Sequence, residues 1–255
     1  MYGPFSQEGN VTVITGATAG LGRANAIAFA KAGSHVVVAD LKAPQETAKR
    51  LRAEGVRATA LELDIADIAS IRKFKDAVYG EYGKVDTLVN NAGVFQVGAT
   101  LDMDFEEDWR RVMRVNVDGT FRMCQEFGRE MVAAKSGNII NIASKSGIMV
   151  DYPNPQVAYN VSKAAIIMMT KSLAIEWAPY GVRVNCVCPG NMAAHPQNPM
   201  IQKGHPYGDA WIRKIPRGTW GLPAELDTVM LYLASAASSF TTGAVEVVDG
   251  GYTLI

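Results

Sequence analysis

The chain has 255 residues, 48% of them hydrophobic, and 25 basic side chains balance 25 acidic ones for a formal net charge of zero. That length holds one α/β unit with a large core. The even charge, with no basic run, argues against a nucleic-acid or anionic-membrane partner. In chain order, Val11–Thr15 reads as a buried strand, followed by a glycine loop and a helix to about Ala32. Val36–Ala39 reads as a second strand, and a helix with exposed charges (Glu46, Lys49, Arg50, Arg52, Glu54) follows it. Val56–Leu63 and Ile68–Tyr82 form the third strand and helix, Val85–Asn90 the fourth strand, and Phe105–Ala134 one long helix. Asn138–Ala143 is the fifth strand, ahead of a helix that carries Tyr159 and Lys163 and ends near Pro179. Val182–Val187 and Ala244–Val248 are the sixth and seventh strands.

Strands apolar on both faces that alternate with helices imply a parallel sheet covered on both sides. With right-handed crossovers the expectation is an α/β doubly wound Rossmann-type fold, a seven-stranded parallel sheet with helices on both faces. No linker, repeat or low-complexity tract divides the chain, so residues 1–255 are expected to form a single domain. The irregular segment 190–223, rich in Pro, Gly and His, is long for a structureless loop and is expected to be a substrate lid.

Cys124, Cys186 and Cys188 are odd in number, and two of them form Cys-x-Cys in an apolar run. They read as small core residues, with too few ligands for a zinc site, and no metal is expected. The first residues lack a basic stretch followed by an apolar one, and no segment reaches the length of a membrane span. The expected compartment is the cytoplasm.

The stretch from Thr15 to Gly22 follows the first strand and opens a helix, and it holds Gly16, Thr18, Gly20, Leu21 and Gly22. Glycines there let the backbone turn sharply and approach a pyrophosphate, whose charge the helix N-terminus stabilises. Asp40 ends the second strand about twenty residues further on, where a carboxylate accepts both ribose hydroxyls of the adenosine half and repels a 2′-phosphate. It therefore favours NAD over NADP; the competing reading is a solvated strand-end charge. Asp64, at the end of the third strand, is a candidate for the adenine. Asn90-Asn91-Ala92-Gly93 ends the fourth strand and would brace the sheet and line the cofactor cleft, or else form a plain turn.

Tyr159 and Lys163 stand at i and i+4 and so share one helical face. A cation beside a phenol favours the phenolate and draws its pKa down from about 10 toward the working range of a base.

Together these motifs resemble the short-chain dehydrogenase/reductase family, in its single-domain branch. The resemblance spans essentially the whole chain. It rests on the Thr15-to-Gly22 loop, Asn90 to Gly93, Asn116 in Val115–Gly119, Ser144 in Asn141–Gly147, Tyr159 with Lys163, Asn185 to Gly190, and Val248–Gly251. It implies Tyr159 as general acid/base and Lys163 as the group that holds the nicotinamide ribose and lowers the phenol's pKa. It further implies Ser144 as the donor to the substrate oxygen, Asn116 as holder of a water linking Lys163 to solvent, Pro189 and Gly190 as cofactor contacts, and a homotetramer. The Ser144-to-Tyr159 spacing is slightly longer than the family's commonest, and Ser146 is a rival hydroxyl; Ser144 is preferred because it stands three residues before Gly147. Where the family often has a threonine to hold the nicotinamide carboxamide, this chain has Ala194, leaving Asn191 or a backbone group for that contact.

Ser146, Asp151, Asn154 and Gln156 lie just before Tyr159 and offer hydrogen bonds to a hydroxylated ligand. Ser144, Ser146, Asp151, Gln156 and Tyr159 are therefore the expected substrate contacts, unless the polar residues only pattern a surface loop. The Pro155-to-Asn160 pattern resembles the family's polyol and sugar dehydrogenases. The expected reaction is NAD-dependent interconversion of a secondary alcohol and a ketone on a small polyol or sugar. A 3-oxoacyl thioester reductase, disfavoured by Asp40, and a non-catalytic dinucleotide sensor are the alternatives. His195, His205 and Trp211 lie in the expected lid and are not assigned as catalysts.

Overall fold

A computed structural model describes residues 3–195, 199–202 and 204–255. Seven strands form one sheet in the order β3-β2-β1-β4-β5-β6-β7, every neighbouring pair parallel. They are β1 (Val11–Thr15), β2 (His35–Asp40), β3 (Ala58–Glu62), β4 (Thr87–Asn90), β5 (Gly137–Ile142), β6 (Val182–Pro189) and β7 (Val245–Val248). The chain winds one way from β1 to β3 and the other way from β4 to β7. The switch point lies between β1 and β4, where such sheets open a crevice at the carboxyl ends of their strands.

The alternating side chains of each strand feed two cores. Val11, Val13, Val37, Ala39, Leu88 and Ile139 pack on one face beneath α3 (Ile68–Tyr82), α5 (Thr120–Ala134) and α6 (Val157–Trp177), which contribute Phe74, Phe127 and Leu173. Ile14, Val36, Val38, Val89 and Ile140 pack on the other beneath α1 (Gly20–Lys31), α2 (Gln45–Ala53) and α8 (Asp227–Ala234), which contribute Phe29, Leu51 and Met230. Local signals agree with this packing in α3. The Asp67 side chain caps its start by accepting from Ala69 N, and Gly83, left-handed at φ 73°, ends it.

Two expectations need correction. The segment from Phe105 to Ala134 is helical throughout but not one regular α-helix. It opens into π-helix at Phe105–Arg110 and again at Arg114–Gly119, on either side of the single α turn α4 (Arg111–Met113). The wider turn is stabilised from outside: Gly119 abuts Ile65, where a Cβ would lie 2.9 Å from the Ile65 carbonyl oxygen, and Asn116 is tied to Val94. Such openings are frequent at functional sites.

The segment 190–223, expected as an irregular lid, holds regular structure among its described residues. It contains α7 (Pro206–Ile212), and Trp211 packs with Ile215 and Tyr252 in a small core of its own. Its ends are closed by Ala193 N to Gly221 O (2.8 Å) and Gly221 N to Asn191 O (3.0 Å). Residues 196–198 and 203, which belong to the same expected lid, lie outside the described residues. Helix α8 was not expected at all.

Candidate active site

A cleft of about 810 Å³ opens over the switch point, lined by the glycine loop, the ends of β2 and β4, Ser144, Tyr159, Lys163 and the Pro189–Gly190 turn. At its phosphate end the loop is built on two left-handed glycines, Gly16 (φ 66°) and Gly20 (φ 59°). A Cβ on Gly22 would stand 2.2 Å from the Gly16 carbonyl oxygen, so the helix can start this close to the turn only with glycine there. Asn91 braces the loop by donating to the carbonyls of Thr15 (2.9 Å) and Gly16 (3.0 Å). Leu21 and Ala92 also line the cleft.

Asp40 ends β2 with both carboxylate oxygens held, one by Thr18 N (3.1 Å) and the other by Leu41 N (2.9 Å). Asp64 accepts from Ala66 N (2.8 Å) at the far edge. The order of groups is carboxylates for a ribose, a tight glycine turn at a helix N-terminus for a diphosphate, then buried hydroxyls. That order fits a dinucleotide laid along the cleft.

At the other end, Ser144 leaves β5 and opens a 3-10 turn at Lys145–Gly147. Its Oγ accepts from Ser146 N (3.1 Å) and donates to Ser146 Oγ (3.1 Å). Gly147 lets this turn touch α6: a Cβ there would lie 2.6 Å from the Lys163 carbonyl carbon. Lys163 donates to Ile142 O (2.8 Å), and its Nζ lies 5.6 Å from the centroid of the Tyr159 ring. The Tyr159 ring is fixed edge-on against Phe95, centroids 4.8 Å apart. Gly93 faces the same point, within 3.6 Å of Lys163 Nζ as measured from a built Cβ.

Asn116 sits in the second π segment. Its Oδ1 accepts from Val94 N (2.8 Å), and its Nδ2 donates to Val94 O (2.9 Å) and to Ser162 Oγ (3.0 Å). It thereby pins the β4 loop to α6 beside Lys163.

The protonation balance differs from what the i, i+4 spacing predicts. Burial raises the Tyr159 phenol above its ordinary value, and its hydrogen bond with Ser144 only partly offsets the rise. Burial also lowers Lys163, to about 8. In a dry site the phenolate and the ammonium are each penalised, and only their joint formation offsets the cost.

Ser146, Asp151 and Gln156 are the expected substrate contacts that stand apart from the cleft. All three are buried and none lines the cleft. They lie behind Ser144, bonded to one another and to Lys145, a residue that sequence reasoning passed over. A lysine in an otherwise small-residue turn, six residues before an aspartate, was the available signal. Phe95, Arg111 and Arg114 line the cleft and were also missed, whereas His195 lines it as an unassigned lid residue. Asn191, weighed for the carboxamide, faces a separate cavity of about 40 Å³, while Ala194, which stands where the family often has a threonine, lines the cleft. The three cysteines are free and buried, and no metal-binding cluster occurs among the described residues. No helix among them is long and apolar enough to cross a membrane.

A sheet of this order, with a glycine turn at its switch point and a tyrosine–lysine pair facing it, defines a dinucleotide-dependent oxidoreductase. Residues 16–253 match a family model described as enoyl-(acyl carrier protein) reductase. D-threitol dehydrogenase of Mycolicibacterium smegmatis is 36% identical, covering 98% of this chain and 95% of its own length. Among solved structures, a short-chain type dehydrogenase/reductase from Mycobacterium marinum superimposes with a TM-score of 0.94 at 39% identity, over 99% of this chain and 98% of that one. A gluconate 5-dehydrogenase from Burkholderia cenocepacia, in complex with NADP and tartrate, gives a TM-score of 0.92 at 33% identity, over 99% and 98%. The chain belongs to the short-chain dehydrogenase/reductase family.

Proposed function

We propose that the protein is a dehydrogenase, NAD-preferring, that interconverts a secondary alcohol and a ketone on a small polyol or sugar. The observation that carries this reading is the cleft itself: Ser144, Tyr159 and Lys163 converge at one end, and a carboxylate pinned by two backbone N–H groups stands at the other. Similarity to a threitol dehydrogenase supports the substrate class. NAD, when bound, supplies the hydride acceptor, and its oxidised ring brings a positive charge.

Tyr159 takes the alcohol proton as phenolate, or returns it to the ketone oxygen in reverse. Lys163 balances the phenolate charge and holds the cofactor ribose. Ser144 donates to the substrate oxygen by turning its single hydroxyl hydrogen away from Ser146 Oγ, and the Ser146 N–H aimed at its Oγ strengthens that donor. Asn116 fixes Gly93 and Val94 against α6, and Ser146, Asp151 and Gln156 act on substrate through Ser144. Gly16, Thr18, Gly20, Leu21, Gly22, Asp64, Asn91, Ala92, Pro189 and Gly190 form the remaining cofactor bed. Residues 1–255 act as one domain, with 190–223 as the lid; Met192, Ala194 and His195 of that segment line the cleft.

The test is a panel of polyols, sugars and acetoacetyl thioesters with NAD and NADP, followed by reduced-nicotinamide absorbance. NAD reduction by a polyol or sugar is expected. Turnover confined to NADPH and thioesters would replace the reading with a thioester reductase, and binding without any turnover would replace it with a sensor.

We also propose a cytoplasmic homotetramer. Apolar side chains stand on the outer faces of α5 and α6, with Met168 62% and Ile175 81% exposed beside Phe121 and Val161, and a second set at Phe240, Leu254 and Ile255. Exposed apolar surface of this kind marks an interface. Light scattering should return four chains; the mass of one chain would overturn it.

A further inference from the structure

Lys145 places an amine in the buried interior of the fold. Its side chain is 2% exposed and directly follows Ser144 in the turn at the end of β5. The ammonium pairs with the Asp151 carboxylate, itself 5% exposed, and lies 4.0 Å from the Tyr252 ring centroid. The other Asp151 oxygen accepts from Ser146 Oγ and from Gln156 Nε2 (3.1 Å). Ser146 then meets Ser144 through its N–H and its hydroxyl, and Ser144 shares the cleft wall with Tyr159. A chain of contacts therefore runs from Lys145 through Asp151 and Ser146 to Ser144, which stands with the phenol in the cleft.

Asp151 does useful work in this chain. Because the Ser146 hydroxyl donates to it, the Ser146 oxygen is left as an acceptor that holds the Ser144 hydroxyl until a substrate oxygen takes its hydrogen. Its charge, however, is badly placed. A buried carboxylate two hydrogen bonds from Ser144 opposes both the phenolate of Tyr159 and the negative charge that develops on a substrate oxygen. We propose that Lys145 is a positioning residue of the reaction: it cancels the Asp151 charge, so that the carboxylate can aim Ser144 without raising the barrier to proton transfer. This rests on the assignment of Tyr159 and Ser144 made above.

Burial pulls the Lys145 ammonium down, toward about 7, as does Lys214 beyond α7, while Asp249 after β7 opposes the fall. The Asp151 carboxylate is the ammonium's direct ion-pair partner. Trp211, with its ring 5.7 Å from Nζ, and Tyr252 complete the enclosure. Lys163, Ser144 and Cys188 are the groups facing Tyr159. Lys145 does not line the cleft, so direct contact with substrate is not its role.

The test compares Lys145→Met, Asp151→Asn and the double variant. The readout is the Tyr159 phenolate absorbance during a pH titration with NAD added, against a Tyr159→Phe background, and it needs neither substrate nor turnover. Lys145→Met leaves a bare carboxylate and should move the phenol up by about one pH unit. Asp151→Asn leaves a bare ammonium and should move it down, and the double variant should return it near the wild-type value. In turnover, Lys145→Met should lower kcat about tenfold with KM for NAD unchanged. Shifts of the same sign in both single variants, or none in variants with native circular dichroism, would overturn the proposal. Should Lys145→Met not fold, the opposite shift in Asp151→Asn and its reversal in the double variant still decide it. Wild-type protein that turns over no alcohol yet shows the paired shifts would refute the substrate reading and leave the charge balance standing.

Discussion

Tyr159→Phe is expected to lower kcat for alcohol oxidation by about 10²–10⁴-fold, the usual worth of a positioned acid or base, while NAD affinity stays nearly unchanged. The substitution removes one oxygen and keeps the ring, whose edge-on contact with Phe95 at 4.8 Å needs no hydroxyl. Ser144 retains its two contacts with Ser146, so the turn that carries it does not depend on the phenol. The loss should therefore appear in the chemical step and not in folding or cofactor binding. The pH profile carries the sign. Oxidation needs the phenolate, so the wild-type rate should rise with pH as Tyr159 loses its proton, and that limb should vanish in the variant. Calorimetric titration with NAD and steady-state rates check both halves; a variant that keeps wild-type kcat would remove Tyr159 from the proposed role.

How much of this could be read without coordinates depended on where the physical cause lay. Strand β1 has the bounds its apolar run predicts, because a strand buried on both faces announces itself in consecutive apolar residues. Helix α3 matches end to end because its stop signals are local, Asp67 before it and Gly83 after it. The π openings were not legible, since Gly119 against Ile65 and Asn116 against Val94 are contacts made across the fold. Helix α8 escaped because a short segment that buries Met230, Leu231 and Leu233 against its neighbours carries no clear apolar period.

The site divides in the same way. The i, i+4 spacing brings Tyr159 and Lys163 together, but it says nothing of desolvation, which here raises the phenol and lowers the amine. The polar segment from Ser146 to Gln156 reads as facing a ligand because polar loops usually face outward. Only the turn of the chain shows it facing Lys145 instead.

Asp40→Ala is expected to shrink the preference for NAD over NADP, as a ratio of kcat/KM values, by about 10²-fold. A hydrogen bond to a charged acceptor contributes about 1.5–3 kcal/mol, and about 1.4 kcal/mol is a factor of ten, so losing the ribose contact accounts for one to two decades for NAD. Removing like-charge repulsion from the 2′-phosphate should add to the change from the NADP side. The repulsion is hard to escape in the wild type, because Thr18 N and Leu41 N hold both carboxylate oxygens and the side chain has no free rotamer to yield. The Burkholderia cenocepacia relative holds NADP, so the fold alone does not dictate NAD, and variants at Asp40 test whether the end of β2 does. Those contacts also brace the glycine loop, and Asp40→Ala removes them together with the charge. Asp40→Asn separates the two effects: it keeps an acceptor for the loop but loses the charge, and it should already give most of the gain in NADP turnover. An unchanged cofactor ratio in both variants would refute the ribose assignment. A loss of both activities only in the alanine variant would show that the carboxylate serves the loop more than the cofactor.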